Sequence, residues 1–421
     1  MDKFVIEGGR PLKGVVQVGG AKNAALPILA ATLLAEGKCR FRNVPDLRDI
    51  KTLLRILQEL GAEIGRGEDG TLEIEMVYER NVTATYELVS KMRASFCVLG
   101  PLLARRGQAR VSLPGGCVIG NRPIDLHLKG LRALGAEIEV RHGYVESRCK
   151  RLKGGEVYLG GHSGSTVLGT ANVMMAATLA EGETTIVNAA CEPEIQDLAG
   201  FLVKMGGKIE GAGSSQMRIT GVERLQGVEY SVIPDRVEAG TFLVAGAITG
   251  GDVTVRGASS EHLSAVIDIL KEVGVSLEKT DDGIRVKGPS TLKAVDVTTL
   301  PYPGFPTDIQ AQLMVLLSVA NGISVITEKI YPDRFMHVAE LNRLGAQIRK
   351  EGPSAIVLGV KGLSGAPVMA SDLRASAALV LAGLRAKGTT EVHRVYHIDR
   401  GYERIEERLE SLGARIRREE E

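Results

Sequence analysis

Six times along the chain a helix ending meets a glycine and passes into a short apolar strand: LGAEI at 60, LGAEI at 134, MGGKI at 205, VGVSL at 273, LGAQI at 344 and LGARI at 412. The glycines, Gly61, Gly135, Gly206, Gly274, Gly345 and Gly413, stand 74, 71, 68, 71 and 68 residues apart. A second mark keeps the same register: LLAEGKCRF, LLARRGQARV, TLAEGETTIV, AITGGDVTV, SVANGISVI and GLRAKGTTEV. Two independent signals in one register define a sixfold repeat. A chain of 421 residues is long for one core, so the repeat predicts two domains of three units, with the boundary between Leu225 and Pro234.

Each unit reads alike. An Ala-, Leu- and Met-rich segment with little polar face comes first: Asn23 to Ala35, Ser95 to Ala104, Ala171 to Ala180, Gly240 to Ile248, Asp308 to Ala320, Ala375 to Ala386. Such segments predict helices surrounded by protein. Glycine ends each one, and a short β-rich run follows. A charged amphipathic helix comes next, as at Asp46 to Leu60, Ile124 to Leu134 and Ile398 to Leu412, and then a strand pair such as Glu63 to Arg66 with Thr71 to Met76 across GEDG. The expected fold class is α/β, with buried helices inside and sheets around them. Periodicity does not place the extra first strand, Lys3 to Glu7.

The chemistry-bearing stretch is SLPGGCVIGNRPIDL, residues 112 to 126. Three glycines and a proline around one thiol predict a loop with Cys117 at its tip, and Pro123 marks the first turn of the helix after it. Cysteines are ordinarily small buried hydrophobes, and the Gly-Gly-Cys setting argues against that here. Arg122 beside the N–H groups of a helix start suits an anion. Polar and cationic groups recur where the buried helices begin: Lys22 and Asn23, Arg93, Thr166 to Thr170, Asp235 to Glu238, Thr307 and Asp308, Asp372 and Arg374. Thr170 and Thr307 read as N-caps. Lys22, Arg93 and Arg374 do not, because a cation at a helix start opposes the dipole unless an anion is bound. Arg334 and Arg400 are read at the heads of outer helices, and His127 lies one turn after Arg122. Equivalent helix ends facing each other across a cleft predict a site for a substrate with several negative charges, with Cys117 as acid or nucleophile.

Other classes are excluded. A net charge of +1, aromatics at 4% and no Trp argue against nucleic acid. No apolar run reaches the roughly 18 residues of a membrane span, and the N-terminus lacks a signal-peptide core. Five dispersed cysteines without CxxC indicate a reducing compartment, and hence a cytoplasmic enzyme. The seven histidines are scattered, HExxH is absent, and VGGAKNA is not a P-loop, so no metal and no cofactor is expected. The Arg- and Glu-rich outer helices read as ion-pair networks. Oligomeric state is not encoded in any of these features.

These residues also carry a resemblance. GGAKNAALP at 19, RAS at 93, PGGCVIGNRPIDLHLKGL at 114, CEPEI at 191, PDRVEAGTF at 234, YPGFPTDIQAQ at 302, DRFMHVAEL at 333, SDLRASAALV at 371 and HIDRGYE at 397 resemble the UDP-N-acetylglucosamine enolpyruvyl transferases of the EPSP synthase-like superfamily. STVLGTAN at 165 departs from the family pattern. The resemblance implies the inside-out α/β barrel, with one domain over residues 22–230 and the other over 1–21 and 231–421. It implies phosphoenolpyruvate and UDP-N-acetylglucosamine as substrates. In that chemistry Cys117 is the acid and forms an adduct with phosphoenolpyruvate, and Asp308 takes the proton of the sugar hydroxyl. Lys22, Arg122 and Arg400 hold phosphate and carboxylate. Asn23, Arg93, Arg122, Pro123, Ile124, Asp125, Leu126, Gly164, Ser165, Thr166, Val167 and Ile330 contact the nucleotide sugar, and Arg334, Asp372, Arg374 and His127 complete the candidate set. The alternatives are a 3-phosphoshikimate 1-carboxyvinyltransferase-like enzyme, against which the PGGC loop argues, and an inactive nucleotide-sugar-binding repeat protein.

Overall fold

All twelve recurring glycines, six from each mark, have a left-handed backbone, with φ between 64° and 116°. Only a residue without Cβ adopts that conformation at little cost, so the repeat in the sequence is a repeat of turns. The computed structural model describes residues 2–115, 124–161 and 164–420. Its contacts divide the chain into two units, residues 2–19 with 234–420 and residues 20–115 with 124–233.

Twelve helices of seven residues or more among the described residues alternate between two environments: α1 (Lys22–Ala30), α2 (Arg48–Glu59), α3 (Leu99–Arg106), α4 (Asp125–Ala133), α5 (Val167–Ala177), α6 (Pro193–Lys204), α7 (Arg236–Ile248), α8 (Ser264–Glu272), α9 (Gln310–Leu317), α10 (His337–Arg343), α11 (Leu373–Arg385) and α12 (Ile405–Ser411). The odd-numbered ones are buried over most of their length; α5 packs on both α1 and α3 in one unit, and α7, α9 and α11 pack on one another in the other. Close approach needs small residues: a Cβ on Gly100 of α3 would lie 2.2 Å from the carbonyl oxygen of Asn172 in α5. The even-numbered helices bury one face, as α2 does with Ile50, Leu53, Ile56 and Leu57. Each unit has its own apolar core.

Six four-stranded sheets share one pattern, in which an edge strand lies parallel to its neighbour and two antiparallel pairings follow. Three of them are completed by distant segments. Glu229–Ser231 pairs with Cys39–Arg42, Lys13–Gln17 pairs with Asp252–Arg256, and Asp2–Glu7 inserts between Thr389–His393 and Arg415–Glu420. With helices inside and sheets around them, the architecture is an inside-out α/β barrel.

Several predicted helices have different ends. The segments expected over Ser95 to Ala104 and Asp308 to Ala320 begin as 3-10 turns, Arg93–Val98 and Thr307–Ile309, and that over Asn23 to Ala35 finishes as one, Ala31–Leu34. The tighter i to i+3 bonding satisfies terminal backbone groups that an α-helix leaves open. The outer helix expected over Ile398 to Leu412 is two pieces, a 3-10 helix Val395–Arg400 and then α12. Arg404 at φ 45° interrupts it, and Gly401 packs so closely that a Cβ there would lie 2.6 Å from the Leu373 side chain.

Candidate active site

In the unit of residues 234–420, the buried helices α9 and α11 start beside one carboxylate. Asp308, in the turn leading into α9, accepts from Arg334 Nη1 at Oδ1 (2.8 Å) and from Arg374 Nη2 at Oδ2 (3.1 Å). The two arginine side chains are only 7% and 3% exposed, and that of Asp308 is 27% exposed. Burial works against both guanidinium charges, but Asp308 and its neighbours outweigh it and raise both pKa values. Asp372 caps α11, accepting from the N–H groups of Arg374 (2.9 Å) and Ala375 (3.1 Å). The Arg374 guanidinium carbon lies 5.4 Å from the Tyr402 ring centroid, and the Tyr402 hydroxyl is joined to Thr241 (2.9 Å) and Gln312 (3.2 Å).

Below this pair sits Glu328, fully buried. Its carboxylate accepts from Thr299 Oγ1 (2.6 Å), Thr307 Oγ1 (2.9 Å) and the N–H groups of Ile330 (2.8 Å) and Tyr331 (3.0 Å). Thr307 in turn accepts from Arg334 Nη1 (2.9 Å). Thr307 is therefore not the N-cap expected, because its hydroxyl is spent between Glu328 and Arg334. Ile330 is half-buried and tied to this hub through its backbone. Arg400 closes the 3-10 turn Val395–Arg400 rather than heading an outer helix. It belongs to the same neighbourhood: the His397 pKa is lowered by burial and then by Arg400, and Asp372 opposes both. His337, also buried, is pushed down to about 4 by desolvation.

The other unit gathers a second set. Lys22, the first residue of α1, pairs with Asp49 Oδ2 at 3.0 Å, both side chains being nearly buried. Lys22 and Arg374, the cations at these helix starts, each have a protein carboxylate beside them, Asp49 and Asp308. Asn23 and Arg93 are half-buried. Thr166 caps α5, accepting from Gly169 N at 3.2 Å, and Gly164 pairs with Gly161 just before it. Gly164, Ser165, Thr166 and Val167 are all half-buried, as are Ile124 and Leu126, whereas Asp125 is exposed in the first turn of α4. Thr170 lies inside α5, so it cannot cap the helix. Its hydroxyl accepts from Ala190 N at 3.0 Å. Cys117, Arg122 and Pro123 lie outside the described residues.

His127 faces its own core. It is 4% exposed, edge-on to Phe96, with Nδ1 2.8 Å from Asn172 Nδ2, while Asn172 also donates to Phe96 O (3.0 Å) and accepts from Gly100 N (2.8 Å). His127 is a buried connector between α4, α5 and the Arg93–Val98 turn, facing inward to its own helices. Burial, and secondarily Arg93, push the ring down to about 3 from 6.5. The unfolded chain takes up this proton at higher pH than the folded one, so stability falls as pH drops from 6.5 toward 3, and His337 acts with the same sign down to about 4. The thermal midpoint of His127→Gln is expected to fall less steeply across that window than that of the parent, and parallel curves would refute the assignment.

Asp49, Asn172, Glu328, His337 and Tyr402 were missed from the sequence. Glu328 had a signal: along Ile323–Glu328 the inward positions are Ser324, Ile326 and Glu328, so alternation alone turns a charge into the core. The other four carry no spacing that links them to their partners.

A family model described as EPSP synthase (3-phosphoshikimate 1-carboxyvinyltransferase) matches residues 6–409. A UDP-N-acetylglucosamine 1-carboxyvinyltransferase of Anaeromyxobacter sp. is 60% identical over 423 residues, covering 100% of both chains. One from Myxococcus xanthus is 57% identical over 421 residues with the same coverage. Among solved structures, the enolpyruvyl transferase NikO from Streptomyces tendae has a TM-score of 0.89 at 24% identity, covering 99% of this chain and 98% of that one. EPSP synthase from Acinetobacter baumannii has a TM-score of 0.78 at 22% identity over 100% of both. The structural likenesses establish the fold, and the full-length identities place the chain within it: it belongs to the EPSP synthase family, among the UDP-N-acetylglucosamine 1-carboxyvinyltransferases.

Proposed function

We propose that this chain transfers the enolpyruvyl group of phosphoenolpyruvate to the 3-hydroxyl of UDP-N-acetylglucosamine and releases phosphate, the first committed step of peptidoglycan synthesis. The observation that carries this reading is the identity of 60% over the whole chain to a relative named for that activity. In the proposed reaction Cys117 protonates the methylene carbon of phosphoenolpyruvate while the sugar oxygen bonds to the neighbouring carbon and gives up its proton to Asp308. The tetrahedral adduct then expels phosphate and returns a methyl proton to the Cys117 thiolate, which restores the double bond, while the proton held by Asp308 leaves with the released phosphate. Lys22, Arg122 and Arg400 hold the phosphate and carboxylate, supplying fixed positive charge where negative charge develops. Arg334 and Arg374 fix the Asp308 carboxylate in place, and Asp372 fixes the start of α11. Asn23, Arg93, residues 122–126, residues 164–167 and Ile330 bind the nucleotide sugar. Cys117 also adds through sulfur to phosphoenolpyruvate, giving a pyruvate-derived adduct.

The enzyme is placed in the cytoplasm, where its product feeds the wall polymer and through it cell shape and division. No helix among the described residues is long and apolar enough to cross a membrane. The test is phosphate release. We expect it only when phosphoenolpyruvate and UDP-N-acetylglucosamine are both present. Release with shikimate 3-phosphate as acceptor would instead assign the chain to the sister activity. A folded protein that binds the nucleotide sugar and releases no phosphate would be a binding module.

A further inference from the structure

Arg400 sits on a backbone of unusual shape. The 3-10 helix Val395–Arg400 starts from Arg394 at φ 60°, and four residues after it Arg404 stands at φ 45°. Two non-glycine residues in the left-handed region persist only where the surroundings over-determine the turn. Arg418, on the C-terminal strand Arg415–Glu420, grips the chain on both sides of Arg404, at Asp399 and Glu406. Its Nη2 donates to Asp399 Oδ1 (2.6 Å) and its Nη1 to Asp399 Oδ2 (3.1 Å), a two-pronged contact with the residue next to Arg400. Nη1 also reaches Asp2 Oδ2 (3.2 Å), and Nε donates to Glu406 Oε1 (2.7 Å) in the first turn of α12. The guanidinium carbon lies 5.0 Å from the Phe4 ring centroid, and Phe4 is the strand partner of Arg418. One planar cation thereby ties three segments together: the first strand, the turn that carries Arg400, and the helix that follows.

We propose that Arg418 is a positioning residue for Arg400, acting through Asp399, so that the two ends of the chain set the geometry of the anion grip. The proposal rests on the reading of Arg400 as a ligand of phosphoenolpyruvate. A lysine at 418 keeps the charge but lacks the planar fork, and cannot serve three carboxylates in fixed directions. Arg418→Lys is therefore expected to lower kcat/KM for phosphoenolpyruvate at least tenfold, with KM for UDP-N-acetylglucosamine within twofold of the parent, and Asp399→Asn should follow the same pattern. Because the effect passes through Arg400, adding Arg418→Lys to Arg400→Lys should lower activity by less than a further twofold. The full loss repeated in the Arg400→Lys background, or equal losses for both substrates with a lowered thermal midpoint, would show a merely structural role and overturn the proposal. An Arg400→Lys variant as active as the parent removes the underlying reading instead, and is told apart because that result does not involve residue 418.

Discussion

Replacing Cys117 by alanine is expected to lower phosphate release by at least roughly 10²- to 10⁴-fold, the span a positioned general acid contributes, while the thermal midpoint stays at the parent value. The chain offers no substitute thiol among the other four cysteines. Cys39 and Cys97 lie in the core of their unit with thiols pushed up to about 11 and about 12 by burial, and burial also raises Cys149 and Cys191. A thiol that reacts near neutrality needs a pKa near or below its free value of about 8.5, and burial moves all four away from it. Cys117→Asp should retain part of the activity, since a carboxylic acid also donates a proton. Intact mass gives a second readout: incubation with phosphoenolpyruvate should add mass to the parent and none to the alanine variant. Full turnover by Cys117→Ala would remove the thiol from the reaction.

The sequence carried the fold where geometry forces a residue type at each repeat. Gly61 and its five counterparts are legible because a left-handed turn at the end of every outer helix excludes other residues, and the buried helices are legible because they show no polar face. Strand partnership was not legible. Asp2–Glu7 pairs with residues near 390 and 416, and Glu229–Ser231 with residues near 40, and nothing in a local pattern encodes a partner that far along the chain. The site divides in the same way. Lys22, Arg93, Asp308 and Arg374 stand out because each breaks an apolar run, but what each one touches did not follow. Lys22 meets a carboxylate 27 residues away, and Asp308 meets arginines 26 and 66 residues away. Hence cations expected to face a ligand were found beside protein carboxylates as well, and His127, which could face either the site or its own helix, turns inward to Asn172. Sequence located the charges, and only the packing shows which of them balance one another.

That balance makes Asp308 the residue whose loss should be felt in two separate measurements. Its carboxylate is the direct partner of two guanidinium groups that are almost wholly withdrawn from water. Asp308→Ala strands both, and removing one member of a buried ion pair typically destabilises a protein by about 3–5 kcal/mol. Asp308→Asn keeps an oxygen for one arginine and the shape of the site, so a smaller shift of the urea midpoint is expected. Neither variant can accept the sugar proton, so both should lose roughly 10²- to 10⁴-fold in turnover. The two effects separate in Asp308→Ala/Arg374→Met, where an apolar side chain replaces one stranded cation: stability should recover in part and turnover should not. Turnover by Asp308→Asn at the parent rate would take the carboxylate out of the proton path, and an unchanged urea midpoint in Asp308→Ala would mean that the buried arginines find their counter-charge elsewhere.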